Sequence, residues 1–230
     1  MSISFISLNL CGGTDWKSRL PNIVDFLNTH HADIVLLQEV RLNESTSLNQ
    51  ASEINRLLAD SFPYINSAIS RFYRPSVGEP YREGLTILSR HPMANSEVVI
   101  LNQALDDRHS RIIQLADIVF ENNPVTVCNV HFSNNVHSVE QLSETLSIIE
   151  NRSKNTVIAG DFNIFSLSDN KSLYDSRYTS STEVGEYISF PTESKTLDYV
   201  LVPKPMNFSS FETVPGLSDH SALLFTVDTK

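Results

Sequence analysis

The stretch VIAGDFNIF, residues 157–165, runs from an apolar segment straight into Gly160, Asp161 and Asn163. Gly, Asp and Asn are common in turns, because glycine accepts unusual backbone angles and the two polar side chains bond to nearby backbone groups. The same residues suit a catalytic loop at the carboxyl end of a buried strand, where open α/β folds gather their chemistry. The stretch fits both a turn and a catalytic loop, and the rest of the chain has to decide between them.

Apolar segments elsewhere in the chain predict many strands and a few helices. The predicted strands are 3–8, 33–40, 84–89, 97–101, 111–120, 125–132, 156–159, 196–202, 207–213 and 221–227. The predicted helices are one through Leu20, Ile23, Val24 and Leu27, one at 47–60 and one at 138–150. Pro21 is expected in a first turn, and Ser138 and Gln141 have the spacing of a capping box. Helices among many strands indicate helices that cover sheets, and no linker or repeat interrupts residues 1–230, so one domain is predicted.

The composition limits the classes of partner. The chain has 27 Asp and Glu against 17 Lys and Arg, for a formal net charge of −10. A broad nucleic-acid-binding face needs a basic surface, so nucleic acid remains possible as a substrate without support from a basic face. Cys11 and Cys128 match no metal motif and are predicted to be packing residues rather than a disulfide. Neither a basic leader nor a run of roughly 20 apolar residues is found, so we expect a cytoplasmic protein without a membrane span. A monomer is also expected.

Polar residues repeatedly stand at or near the ends of the apolar segments, with Asp198 inside one segment and Asp219 and His220 directly before the last. They are Asn9, Glu39, His131, Asp161, Asn163, Asp198, Asp219 and His220. Taken singly, each fits a turn or a surface position, but together they place acids and histidines at the ends of buried strands. Carboxylates brought close would raise one another's pKa unless a cation lay among them. Mg²⁺ or Mn²⁺ suits such oxygen ligands. The chain has no HExxH motif and no paired cysteines, which are the patterns that would favour zinc.

A family resemblance rests on motifs that occur in a fixed order. They are SLNLCG (7–12), LLQEV (36–40), EGLTILSRHP (83–92), NVHF (129–132), GDFN (160–163), LDYVLV (197–202) and LSDHSAL (217–223). This order resembles the endonuclease/exonuclease/phosphatase superfamily, which includes pancreatic-type deoxyribonucleases, apurinic endonucleases, neutral sphingomyelinases and inositol polyphosphate 5-phosphatases. The resemblance extends from Ser7 to Val227. It implies a four-layer α/β sandwich of two packed mixed β-sheets flanked by helices.

The resemblance also implies roles for the polar residues. Glu39 is similar to the principal Mg²⁺ ligand of the family, with Asn9 beside it and Asp219 as a further ligand through water. Mn²⁺ is expected to substitute for Mg²⁺.

The remaining roles implied by the resemblance are catalytic. Asp161 resembles the acid that orients or deprotonates the attacking water, and Asn163 would hold the phosphate or that water. Asp198 would orient His220, while His220 and His131 would flank the phosphate. The sequence leaves open whether Asp161 or His220 is the general base.

Two long polar connections, 71–83 and 166–189, combine arginines with aromatic residues on an otherwise acidic chain. A solvated loop with incidental arginines is the alternative interpretation. The residues that we expect to bind substrate are Arg74, Arg82, Arg111 and Tyr178.

The leading functional hypothesis is a Mg²⁺-dependent phosphohydrolase that cleaves a phosphoester by in-line attack of water. His131 stands where apurinic endonucleases typically carry tyrosine, so the chain resembles the histidine-pair branch of deoxyribonuclease, sphingomyelinase and phosphatase types. A nuclease-like phosphodiesterase is expected first, and a phosphomonoesterase for a small or inositol-type phosphate is the alternative. A non-catalytic binding scaffold on the same fold is the third hypothesis, but it predicts eroded motifs and none is eroded.

Overall fold

A computed structural model describes residues 2–43, 49–74, 76, 78–102, 109–120, 123–152 and 155–229. The strands are β1 (Ser2–Asn9), β2 (Ile34–Asn43), β3 (Tyr64–Tyr73), β4 (Tyr81–Ser89), β5 (Met93–Ile100), β6 (Ile112–Phe120), β7 (Asn123–His131), β8 (Thr156–Asp161), β9 (Tyr178–Ser180), β10 (Asp198–Pro203), β11 (Asn207–Val214) and β12 (Ala222–Asp228). The α-helices are α1 (Trp16–His30), α2 (Gln50–Leu57) and α3 (Ser138–Glu150). Short 3₁₀ helices lie at Leu167–Leu173, Ser181–Glu183 and Pro191–Glu193. Within these residues no helix has the length and apolar character that crossing a bilayer requires.

The strands form two mixed six-stranded sheets. The first sheet has the order β11-β12-β1-β2-β4-β3, and the second has the order β5-β6-β7-β8-β10-β9. In each sheet one neighbouring pair is parallel, β1 with β2 and β7 with β8. Helix α1 connects the first pair and α3 connects the second, as parallel connections require a crossover. Asn9, His131 and Asp161 are the last residues of β1, β7 and β8, and Glu39 lies in the middle of β2, which continues to Asn43.

Three apolar layers hold these elements together. Between the sheets, residues such as Phe5 and Phe225 stack with ring centroids 4.8 Å apart. The outer face of the first sheet packs against α1 and α2, and that of the second packs against α3. Each large apolar side chain buried in this way contributes about 1.5–3 kcal/mol. The predicted four-layer α/β sandwich is confirmed, and Cys11 and Cys128 are free thiols as expected.

Gly160 is required where β8 passes β7. Its φ of +143° favours glycine, and it lies opposite Val130 in the parallel ladder. A Cβ at residue 160 would lie 2.1 Å from the carbonyl oxygen of Val130. Backbone atoms cannot yield to such a contact, so the glycine of GDFN allows the two strands to approach closely directly before Asp161.

The hairpin of β3 and β4 differs from the prediction of a long loop over 71–83. Strand β3 was not predicted, and its pairing with β4 extends to Tyr73 and Tyr81. The connection is therefore only 74–80, of which residues 75 and 77 lie outside the described part of the chain. An edge strand that leaves Ile65 and Ile69 partly exposed lacks the simple alternation of apolar and polar residues by which strands are predicted.

Two local predictions about helices were wrong. Helix α1 begins at Trp16, so Pro21 lies inside it and not in its first turn. Ser138 is the first residue of α3 and not its cap. Gln141, its expected partner in a capping box, bonds to Ser133 instead. Of the predicted helix at 47–60, α2 occupies Gln50–Leu57, and residues 47 and 48 lie outside the described residues.

Candidate active site

One cavity of about 480 Å³ opens at the carboxyl ends of β7 and β8, beside the middle of β2. Most of the residues singled out in the sequence line it, namely Glu39, Arg111, His131, Asp161, Asn163, Asp219 and His220. A larger cavity of about 560 Å³ lies beside β5 and β6, but its lining contains no comparable group of acids and histidines. Cavity size alone would point to the wrong place, and the chemistry of the lining favours the smaller cavity.

Glu39 is turned toward this cavity by a β-bulge. The ladder of β2 and β4 pairs Leu37 with Thr86 and then Val40 with Gly84, so Gln38 and Glu39 oppose a single residue. Glu39 has a φ of +52°, which is uncommon for a non-glycine residue. Bulges near active sites commonly re-aim a side chain in this way.

Asn9 is buried and connects the two sheets next to the cavity. Its amide Nδ2 donates to Asp161 Oδ2 at 3.0 Å and to Glu39 Oε1 at 3.4 Å, while its Oδ1 accepts from the backbone N–H of Cys11. Asn9 was expected beside the metal as a ligand. In this orientation it presents N–H groups to the carboxylates, so it bridges them and offers no ligand oxygen toward them.

The stretch from Gly160 to Asn163 is both a turn and part of the cavity wall. Asp161 Oδ1 accepts the backbone N–H of Asn163 at 3.0 Å, which is the local bond of an Asx turn. Asn163, with a φ of +51°, donates from Nδ2 to the carbonyl oxygen of Phe132. The second carboxylate oxygen of Asp161 lies 3.6 Å from His131 Nε2 and 3.9 Å from His220 Nε2.

His220 and Asp198 form a buried pair. The distance from His220 Nδ1 to Asp198 Oδ2 is 2.7 Å, and both residues are buried. Burial alone would lower the pKa of His220, but the charge and hydrogen bond of Asp198 raise the pKa to about 9. His131 behaves in the opposite way, because burial and then the charge of Arg111 hold its pKa well below the usual value. The pKa values of the two histidines are therefore shifted in opposite directions.

The acids of the cavity disfavour one another's charge. Burial and then the charge of Asp198 raise the pKa of Asp161 to about 8. Burial and then the charges of Glu83 and Asp219 raise the pKa of Glu39, against the hydrogen bond from Asn9. These are oxygen donors that a hard divalent cation would stabilise in their ionised form, so the donor set fits such an ion. Among the described residues, Asp161, Asp198 and His220 also bring potential ligand atoms within 4.8 Å of one another, although Asp198 and His220 already bond to each other.

Glu83 is a cavity residue that sequence reasoning missed, and it is paired with Arg71, one of the arginines of 71–83 that were expected near an anionic substrate. Glu83 is buried, and its Oε1 lies 2.6 Å from Arg71 Nη2. A signal for Glu83 was present, because an acid that opens an otherwise apolar run such as GLTIL is unusual in a buried strand. Arg71 was placed in a loop by the sequence, but it reaches the cavity from β3, a strand that was not predicted.

The four predicted substrate-binding residues are placed differently. Arg111 is buried and lines the cavity. Arg74 and Arg82 are exposed and lie outside the lining, since Arg82 points away from the face on which Glu83 lies. Tyr178 is only 4% exposed and packs in the core under α3, so the expectation that it binds substrate does not fit its position.

A buried polar layer supports the cavity from below. Gln38 Nε2 donates to Asn129 Oδ1 at 2.8 Å across the two sheets, and Asn129 Nδ2 donates to the carbonyl oxygen of Thr86 at 3.2 Å. Gln38 directly precedes Glu39, and Asn129 lies two residues before His131 on the same face of β7. These hydrogen bonds therefore hold together the two sheets that carry Glu39 and His131.

Solved structures with this fold come from several organisms. An endonuclease/exonuclease/phosphatase family protein from Leptotrichia buccalis is 16% identical with a TM-score of 0.78, over 99% of this chain and 100% of that chain. A humanized D. rerio TDP2 is 16% identical with a TM-score of 0.76 over 99% of each chain. A mannosyl-6-phosphatase from Bacteroides thetaiotaomicron is 14% identical with a TM-score of 0.73, over 99% of this chain and 100% of that chain. At these identities the similarity establishes the fold alone, and no curated protein matches the sequence.

The sequence also carries a family signature. The pattern of the Endonuclease/Exonuclease/phosphatase family matches residues 6–220, which spans most of the chain and every motif of the cavity apart from the end of LSDHSAL. Members of this family are phosphoester hydrolases of the nuclease and phosphatase types. Sequence pattern and fold agree, and the chain belongs to the endonuclease/exonuclease/phosphatase family of phosphoester hydrolases.

Proposed function

We propose that the protein is a Mg²⁺-dependent phosphodiesterase that cleaves its substrate by in-line attack of water. The observation that carries the proposal is the convergence of Glu39, Asp161 and Asp219 with His131 and His220 in one cavity. Acids alone would make a cation site, and histidines alone would make an anion site. Their combination suits a phosphate that is bound through a cation and attacked beside it.

The cation would be held by Glu39 and Asp219, with Asn9 keeping Glu39 and Asp161 in place. Members of the family depend on a divalent metal ion, and the oxygen-rich donor set favours Mg²⁺ or Mn²⁺ over zinc. When bound, the ion supplies charge neutralisation on the phosphate oxygens.

The protein's own residues supply orientation and proton transfer. Asp161 would orient the attacking water and accept its proton, because one carboxylate oxygen is occupied by Asn163 N–H and the other faces the histidines. His220 would present Nε2 to the phosphate, because Asp198 occupies Nδ1. Asn163 and His131 would complete the set of donors around the phosphate oxygens.

A phosphomonoesterase is the second candidate. A similar fold occurs in a mannosyl-6-phosphatase, so this architecture is compatible with a sugar monoester. The histidine pair is shared by deoxyribonuclease, sphingomyelinase and phosphatase types, so the choice between diester and monoester is made by the substrate comparison below.

The proposal is tested by comparing substrates in Mg²⁺. Bis-(p-nitrophenyl) phosphate, p-nitrophenyl phosphate, plasmid DNA and short RNA are incubated with the protein, with and without EDTA. We expect the diesters to be cleaved faster than the monoester and all cleavage to stop with EDTA. Faster release of p-nitrophenol from the monoester p-nitrophenyl phosphate would favour the monoesterase. Absence of cleavage of every substrate in Mg²⁺ and in Mn²⁺ would refute the hydrolase and favour the binding-scaffold hypothesis.

The metal site is tested without activity. Mg²⁺ or Mn²⁺ binding to the native state should raise Tm, with about 2.7 kcal/mol of stabilisation at a 100-fold excess over Kd. Glu39→Gln should remove most of this shift, because it deletes one charge from the site. Glu212→Gln, at an exposed position of β11, is the matched control and should keep the full shift. An unchanged shift in Glu39→Gln would remove Glu39 from the metal site.

A further inference from the structure

Strand β3 contains a bulge that places Arg71 in the cavity. The ladder pairs Ile69 with Gly84 and then Arg71 with Glu83, which leaves Ser70 as the extra residue. Without this extra residue Ser70 would lie opposite Glu83, and Arg71 would fall on the other face of the strand. The bulge therefore brings a guanidinium to the cavity wall.

Arg71 is fixed by several contacts once it is there. Its Nη2 lies 2.6 Å from Glu83 Oε1, its Nη1 lies 2.6 Å from His109 Nδ1, and its Cζ lies 5.6 Å from the ring centroid of Tyr73. Its Nε is buried and has no hydrogen-bond acceptor among the described residues. These contacts hold the guanidinium rigidly, and because Nε is sealed from solvent, an anion in the cavity would meet only the Nη groups.

Arg71 belongs to a group of basic side chains on one side of His131. Arg111 and His109 line the same cavity, and the charges of all three act on His131. Glu83 is bonded to Arg71 and its charge acts on Glu39, so this basic group borders the acids that would hold the cation. The cation, His220, His131 and Asn163 would already contact the oxygens of the phosphate that is cleaved. The N–H donors of Arg71 and Arg111 lie beside that set and suit a second anionic group of the substrate.

We propose that Arg71, His109 and Arg111 form a subsite for a second phosphate of the substrate, next to the one that is cleaved. This rests on the proposed phosphodiesterase function and narrows its substrate class to diesters that carry a neighbouring phosphate, as nucleotides with two phosphates and oligonucleotides do. The competing explanation is that Arg71 only neutralises Glu83 and so maintains the charge of the acidic part of the cavity.

Two matched probes separate these explanations. One is thymidine 5′-(p-nitrophenyl phosphate), and the other is the same compound with an additional 3′-phosphate. With the unmodified protein in Mg²⁺, we expect the second phosphate to raise kcat/KM at least about tenfold, chiefly through KM, as a charge-assisted contact would. Arg71→Met should reduce this ratio to about one. Arg56→Gln, at an exposed position of α2, should retain it.

Arg71→Met leaves buried Glu83 without its partner and could therefore fail to fold, so a second variant is needed. Arg71→Gln combined with Glu83→Gln leaves no unpaired charge, and it should also lose the preference for the second phosphate. The subsite is refuted if the unmodified protein shows no preference, or if either folded variant lowers kcat/KM for both probes equally. Absence of p-nitrophenol release from both probes with the unmodified protein would instead refute the phosphodiesterase function itself.

Discussion

Asp161→Asn is expected to lower kcat on bis-(p-nitrophenyl) phosphate at least about 10²-fold, which is the scale of a lost general base. Asparagine has nearly the same shape and can still accept the backbone N–H of Asn163, so the turn after β8 is retained. It cannot accept a proton from water. The fall should therefore lie in kcat, measured at saturating substrate and Mg²⁺.

Folding of the variant is checked by circular dichroism and by Tm. Loss of the hydrogen bond from Asn9 Nδ2, which the new amide nitrogen cannot accept, should lower Tm, and removal of a carboxyl whose ionisation is disfavoured by burial and by Asp198 should oppose that loss. Asp169→Asn, at an exposed position of the 3₁₀ helix Leu167–Leu173, is the matched control and should leave kcat unchanged. Turnover of Asp161→Asn within a few-fold of the unmodified protein would exclude Asp161 as the base.

The sequence predicted the part of the fold that depends on local pattern. Buried strands such as Thr156–Asp161 read as apolar runs, and α3 has the periodicity of an amphipathic helix and matches its predicted bounds. The polar residues that end these strands were found for the same reason, since an acid after an apolar run stands out. The order of the motifs then supplied the architecture through the family resemblance.

Features set by pairing between distant segments were not predictable. Glu39 and Arg71 both reach the cavity through bulges, and a bulge is defined only against the partner strand β4. Tyr178 was expected at the substrate because it lies in a polar stretch rich in Ser and Thr, yet β9 pairs with β10 and buries it. Arg82 and Glu83 are neighbours in sequence but lie on opposite faces of β4, so the period of the strand decides which one reaches the cavity.

The buried polar layer illustrates a further limit. Gln38 and Asn129 lie far apart in sequence, and each alone resembles an isolated polar residue within a strand. Only the packing of the two sheets brings Gln38 Nε2 within 2.8 Å of Asn129 Oδ1. Gln38 Oε1 has no hydrogen-bond partner among the described residues, so part of the cost of burying this layer is not recovered. That cost is consistent with a layer that serves the site above it rather than stability alone.

His220→Ala is expected to lower kcat at least about 10²-fold, because it removes the nitrogen that faces Asp161 and the phosphate. Asp198→Asn should cost less, since Asp198 contributes through the 2.7 Å bond to His220 Nδ1 and does not face the cavity itself. If Asp198 acts only through His220, the double variant should be no slower than His220→Ala.

The double variant also controls for stability, because His220→Ala alone leaves Asp198 buried without its partner, and Asp198→Asn removes that charge. The measurements are kcat for the three variants and Tm for each. If Asp198→Asn lowers kcat by the same factor in the His220→Ala background as in the unmodified protein, the losses are additive. Such additive losses would show that Asp198 has a role separate from His220. A non-additive result would instead make the buried pair one functional unit, with the acid holding the imidazole so that Nε2 meets the phosphate.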